Sequence, residues 1–102
     1  DAGQIAGLVC LGYPFHPPQK PAQLRTRHLQ TLTCPTLIVQ GERDPFGGPS
    51  EVEGYGLAPA ISVHWAPDGD HDLAPRKSSG ATREGNLADA VREIARFATW
   101  LG

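Results

Sequence analysis

Three apolar runs set the limits on what this chain can fold into. Ile5-Ala6-Gly7-Leu8-Val9-Cys10-Leu11-Gly12, Thr36-Leu37-Ile38-Val39-Gln40 and Ile61-Ser62-Val63-His64-Trp65-Ala66 each have the length and side-chain content of a strand. Each stops at turn-forming residues: Tyr13-Pro14, Gly41, and Pro67-Asp68-Gly69. The first two are almost continuously apolar, the pattern of strands covered on both faces, while the third alternates more. No hairpin-length link joins them. Parallel strands need crossovers of about a dozen residues or more, and the intervening segments are long enough to supply these. The order expected is β-α-β-α-β-α with right-handed crossovers. That is an α/β three-layer sandwich, with about three parallel strands and helices on both faces.

The crossovers read as helices of unequal quality. Pro21 can open one that runs to about Leu32, with Leu24, His28, Leu29 and Leu32 along one stripe. Pro49 to Leu57 can form a short one, weakened by Gly54 and Gly56. The strongest comes last, where Leu87, Val91, Ile94, Ala98 and Leu101 follow helical spacing and Ala90 and Phe97 widen the stripe. Asn86 or Thr82 can cap its start. The Pro-rich segment from Pro14 to Pro21 is expected to be an extended loop, and the polar stretch from Ala74 to Arg83 to move.

A chain of 102 residues has room for one core and not two. With 9 Lys+Arg against 11 Asp+Glu the net charge is −2, and no basic run stands out, which argues against nucleic acid or an anionic membrane as partner. The longest apolar stretch is far too short to span a bilayer. Cys10 lies inside a strand pattern and Cys34 just ahead of another, so both read as small packed hydrophobes in a reducing, cytoplasmic setting, although the two can still pair.

Chemistry concentrates at two strand outlets. Gly41-Glu42-Arg43-Asp44-Pro45-Phe46-Gly47 follows the second strand and Asp68-Gly69-Asp70-His71-Asp72 the third, the position where α/β enzymes keep their reactive groups. Asp44 and His71 stand 27 residues apart, in the acid-then-base order of a nucleophilic triad. A triad acid stays ionised and fixes the tautomer of its His, which in turn deprotonates the nucleophile. The plainer reading of Asp44 is an Asx-turn before Pro45, and that of His71 a surface turn. Asp68, Asp70, His71 and Asp72 could suggest a metal site, but four near-adjacent residues cannot all face one ion, so neither metal nor cofactor is called for. Tyr13, Phe15 and His16, at the outlet of the first strand, are candidates for substrate-binding walls. His28 and His64 read as packing residues.

These segments carry a resemblance. Leu37 to Gly47 followed by Asp68 to Asp72, together with Gly7-Leu8-Val9-Cys10-Leu11-Gly12-Tyr13-Pro14-Phe15-His16-Pro17-Pro18, resemble the C-terminal part of an α/β-hydrolase of the dienelactone-hydrolase-like, esterase-like group. The resemblance implies that residues 1–102 are the C-terminal portion of a single hydrolase domain, with Asp44 as triad acid and His71 as base. It implies an ester or related acyl substrate of small size.

The nucleophile has no counterpart. No Gly-x-Ser-x-Gly occurs, and Ser50, Ser62, Ser78 and Ser79 lack the strand-turn-helix setting that exposes a strained serine. The length, roughly half that of such a domain, agrees with a fragment whose acid and base serve a Ser or Cys supplied elsewhere. A first strand without its neighbour would seek that missing half or self-associate through the Ile5–Gly12 edge. The rival reading is a non-enzymatic, protein-binding module of the same fold.

Overall fold

The structure is a computed structural model and describes residues 6–101. One parallel sheet of three strands, β1 (Leu8–Leu11), β2 (Thr36–Gly41) and β3 (Ile61–Ala66), runs in the order β1-β2-β3. Two helices, α1 (Pro49–Val52) and α2 (Arg83–Leu101), and two short 3-10 turns, Arg27–Gln30 and Lys77–Ser79, complete it. Ile5, where the sequence pattern starts the first strand, lies outside the described residues.

β2 is the centre of the molecule because it alone pairs on both sides, and all six of its residues are buried. Its side chains alternate between two cores, as a pleated strand requires. Leu37 and Val39 pack with Ala66, Leu73 and Ala90 beneath α2, flanked by Ile94 and Phe97. Ile38 packs on the opposite face with Phe15, Leu29 and Val52. The sheet is thus covered on both faces, as expected for an α/β sandwich.

The helices depart from expectation in instructive ways. Between β1 and β2 only the turn Arg27–Gln30 is helical, and Leu24 is exposed. The backbone there is committed to pairing outside any helical ladder: Arg25 N–H donates to the carbonyl of Phe15, and Lys20 N–H to Pro17. α1 stops at Val52, ahead of the two glycines, one of which, Gly56, takes φ +64°. α2 begins at Arg83, capped by the Thr82 hydroxyl, which accepts from the Gly85 amide at 2.9 Å. Asn86 is not the cap. It lies buried within the helix, and the inward stripe runs through Asn86, Ala90, Ile94 and Phe97. Leu87 and Val91 face outward, Val91 at 66% exposure.

Leu87 shares a surface with β1. Val9 pairs with Leu37 and Leu11 with Val39, so Val9 and Leu11 stand on the α2 side of the sheet, and both are exposed, Leu11 at 67%. Leu11 and Leu87 border one cavity. The α2-side core therefore continues past β1 as an open apolar face, beside a strand edge with no neighbour among the described residues. Cys10 and Cys34 are each half-buried, and burial pushes the Cys10 thiol up. No helix among the described residues is long and apolar enough to cross a membrane.

Candidate active site

Asp44 and His71 meet at the carboxyl ends of the strands. His71 Nδ1 lies 2.8 Å from Asp44 Oδ2. The carboxylate side chain is fully shielded from solvent while the imidazole remains 43% exposed, so a buried carboxylate meets an accessible ring. A carboxylate only accepts, which places the donated hydrogen on Nδ1 and leaves Nε2 of the neutral ring with its lone pair. The other carboxylate oxygen, Oδ1, accepts the Phe46 amide at 2.8 Å. The Asx-turn and the partnership with His71 are thus not alternatives: Asp44 makes both, one oxygen for each.

The two loops are fitted tightly together. Gly41, at the end of β2, faces the Gly69 and Asp70 carbonyls so closely that a Cβ there would run into both oxygens. Arg43 N–H donates to Gly69 O at 2.8 Å, joining the acid loop to the base loop through the backbone. Gly12, at φ +72°, leaves room for the imidazole; a Cβ there would stand 2.9 Å from His71 Cε1. Phe46 covers the imidazole on another side, its ring centre 4.6 Å from that of His71.

Beside His71 opens a cavity of about 220 Å³, lined by Leu11, Gly12, Asp72, Leu73, Arg83 and Leu87 as well as His71 itself. It adjoins the free edge of β1. Neither Ser50, Ser62, Ser78 nor Ser79 lines it.

Tyr13, Phe15 and His16 do not line that cavity either. Phe15 is fully buried in the core opposite α2. His16 is 4% exposed, its Nε2 2.8 Å from Glu51 Oε2 and its Nδ1 2.8 Å from the Pro17 carbonyl. Tyr13 donates its hydroxyl to Arg25 O at 2.9 Å, and burial pushes that hydroxyl up. The loop doubles back at once toward α1, which carries these three away from the imidazole.

Gln40, which the sequence reading does not single out, and Asp68 and Asp70, which it considers only as metal ligands, hold the site in place. Gln40, fully buried, accepts the Tyr13 amide at 2.7 Å through Oε1 and donates Nε2 to Tyr13 O at 3.0 Å and Gly47 O at 3.1 Å. One side chain so ties the outlet of β1 to the acid loop. The only sequence signal is a polar residue closing an otherwise apolar central strand. Asp68 takes Arg76 Nη2 at 2.6 Å and the Arg76 amide at 2.8 Å. Hydrogen bonds from the Arg76 side chain and then its amide hold the Asp68 carboxyl well below the usual carboxylate range. Asp70 Oδ1 instead accepts the amides of Asp72 and Ala74.

The lowered Asp68 value has a definite sign. A carboxyl whose folded value lies below its unfolded one adds stability above the ordinary 3.8, and that stability is lost as pH falls through the depressed value. Melting scans between about pH 6 and pH 2 should therefore show Asp68→Asn melting below the parent at the upper end, with the gap narrowing on the acid side of pH 4. A gap that widens on acidification would contradict the ion pair.

A family model described as an alpha/beta hydrolase domain matches residues 1–99. No solved structure matches the chain. With three parallel strands in the expected order, and an acid and a base from successive strand outlets in contact, the match and the architecture agree: the chain belongs to the α/β-hydrolase domain family.

Proposed function

We propose that this chain supplies the acid and base of a Ser(or Cys)-Asp-His triad for hydrolysis of an ester or related acyl bond, with the nucleophile coming from a segment outside these 102 residues. The observation that carries the reading is the 2.8 Å contact between a shielded Asp44 carboxylate and an accessible His71 imidazole. In the reaction, His71 Nε2 takes the proton of the attacking hydroxyl or thiol as its oxygen or sulfur bonds to the substrate carbonyl carbon. The imidazolium, steadied by ionised Asp44, then gives that proton to the leaving alkoxide as the tetrahedral intermediate collapses to an acyl-enzyme. A water, deprotonated by the same nitrogen, releases the acid and restores the nucleophile.

The cavity between His71 and the β1 edge is where such a nucleophile would stand. A further parallel strand on β1, with its helix on Leu11, Leu87, Val9 and Val91, would cover the open apolar face and bring a strand-end nucleophile beside His71. A dienelactone-hydrolase-like specificity remains part of this reading, without a substrate-binding role for Tyr13, Phe15 and His16.

Turnover tests this directly. The chain alone should hydrolyse p-nitrophenyl esters no faster than a variant lacking all four serines. Supplying the preceding nucleophile-bearing segment, by fusion or complementation, should restore activity. Activity of the isolated chain that survives loss of His71 would overturn the proposal and favour the protein-binding module.

The open face yields a separate expectation. Amides and carbonyls on the side of β1 that has no partner among the described residues, together with exposed Leu11 and Val91, should drive the isolated chain to associate at micromolar concentration. Sedimentation should show this, and Leu11→Lys with Val91→Lys should suppress it. A monodisperse parent monomer would contradict the unpaired edge.

A further inference from the structure

The loop that carries His71 is bent against the preferences of its own residues. Asp68 takes φ +53° and Leu73 φ +65°, so two residues with side chains enter the left-handed region within six positions, one on each side of His71. Asp tolerates that region through its short polar side chain, but a leucine stays there only where its surroundings over-determine it. Both bends are tethered. At the Leu73 end the side chain is buried beneath α2, and the carbonyl accepts Asn86 Nδ2 at 2.9 Å; the same nitrogen donates to Pro67 O at 3.0 Å, spanning the loop.

At the other end Asp68 reaches in two directions. Its carboxylate grips Arg76 through the amide, Nε at 3.1 Å and Nη2, closing the loop on itself around His71. It also turns toward the acid loop: Arg43 Nε donates to Asp68 O at 2.9 Å and lies 3.2 Å from Oδ1, and Asp68 N–H donates to Glu42 Oε1 at 2.7 Å. Exposed ion pairs of this kind add little to global stability. What this one joins is more telling than its strength, for every partner lies on a loop that presents Asp44 or His71.

We propose that Asp68 is a positioning residue, which through Arg76 and Arg43 keeps the strained His71 loop in the one arrangement that sets Nδ1 on Asp44. The inference rests on the reading of Asp44 and His71 as acid and base. Asp68 itself does not line the cavity beside His71.

The test is the His71 Nδ1–H proton, followed by NMR in the chain labelled with nitrogen-15 in histidine, with Leu11→Lys and Val91→Lys present in parent and variants alike to suppress association. In the parent this proton should be protected from exchange with water. Asp68→Asn and Arg76→Gln should each speed its exchange by about tenfold at temperatures where the chain stays folded. The double variant should do no more than Asp68→Asn alone, since Arg76→Gln removes a partner that Asp68→Asn already gives up. Asp68→Glu, which keeps the charge, should recover part of the protection. Should Asp68→Asn fail to fold, Arg76→Gln decides the matter, because Arg76 is mostly exposed. Melting points that fall while Nδ1–H exchange stays within about twofold of the parent would overturn the proposal and leave the ion pair a structural brace. Failure of the underlying reading looks different: Asp44→Asn would then leave the Nδ1–H protection unchanged.

Discussion

Replacing Asp44 by Asn in a nucleophile-complete form of the protein is expected to lower kcat by about 10⁴-fold with little change in KM, since loss of a triad acid leaves His in the wrong tautomer. An amide presents a donor where Nδ1–H needs an acceptor, so the imidazole must turn or surrender its proton, and either change removes Nε2 as base. His71→Gln should cost at least as much. The two substitutions combined should cost no more than His71→Gln alone, because groups that act as a unit lose their function together. Steady-state kinetics on purified variants decide the matter. An Asp44→Asn enzyme within about tenfold of the parent would mean that the acid lies elsewhere.

The second large effect concerns stability. Gln40→Leu should destabilise the chain by about 3 kcal/mol or more, because it strands the Tyr13 amide, the Tyr13 carbonyl and the Gly47 carbonyl around a fully buried side chain. For a chain of this size that corresponds to a fall in Tm on the order of 10–20 °C, readable by circular dichroism. Ser62→Ala, on an exposed position of β3, should move Tm by only a degree or two on the same scale. A Gln40→Leu loss no larger than that of Ser62→Ala would show that the three groups find water instead and that the clasp between the loops is slack. The consequence for the site is direct. With Gly47 released, the turn that holds Asp44 beneath His71 loses one of its anchors.

How much of this was legible in the sequence follows from how local each signal is. β2 and β3 were readable because a buried strand writes its own apolar run, and Asp44 and His71 because each stands at a strand outlet, where chain direction alone fixes which end of the sheet it occupies. The segment from Pro21 to Leu32 was not readable as irregular. Its apolar spacing is compatible with a helix, and only the long-range pairing of Arg25 with Phe15 reveals where its backbone hydrogen bonds go. The expected stripe of α2 holds at Ala90, Ile94 and Phe97 and fails at Leu87 and Val91 for a related reason. Leu87 and Val91 are as apolar as any core residue, and what turns them outward and Asn86 inward is the position of β2, β3 and the His71 loop beneath the helix. Tyr13, Phe15 and His16 show the same limit at the site. Their place after the first strand is correct, but the direction in which the loop leaves that strand is set by Gln40, Glu51 and Arg25, all distant in sequence.

Covalent labelling tests the central claim most directly. Intact-mass analysis after treatment with a fluorophosphonate should find the 102-residue chain unmodified. The protein that also carries the preceding nucleophile segment should gain one adduct, on that segment, and lose the reaction on His71→Gln or Asp44→Asn. An adduct on Ser50, Ser78 or Ser79 of this chain, or labelling of the longer protein that is indifferent to His71, would contradict it.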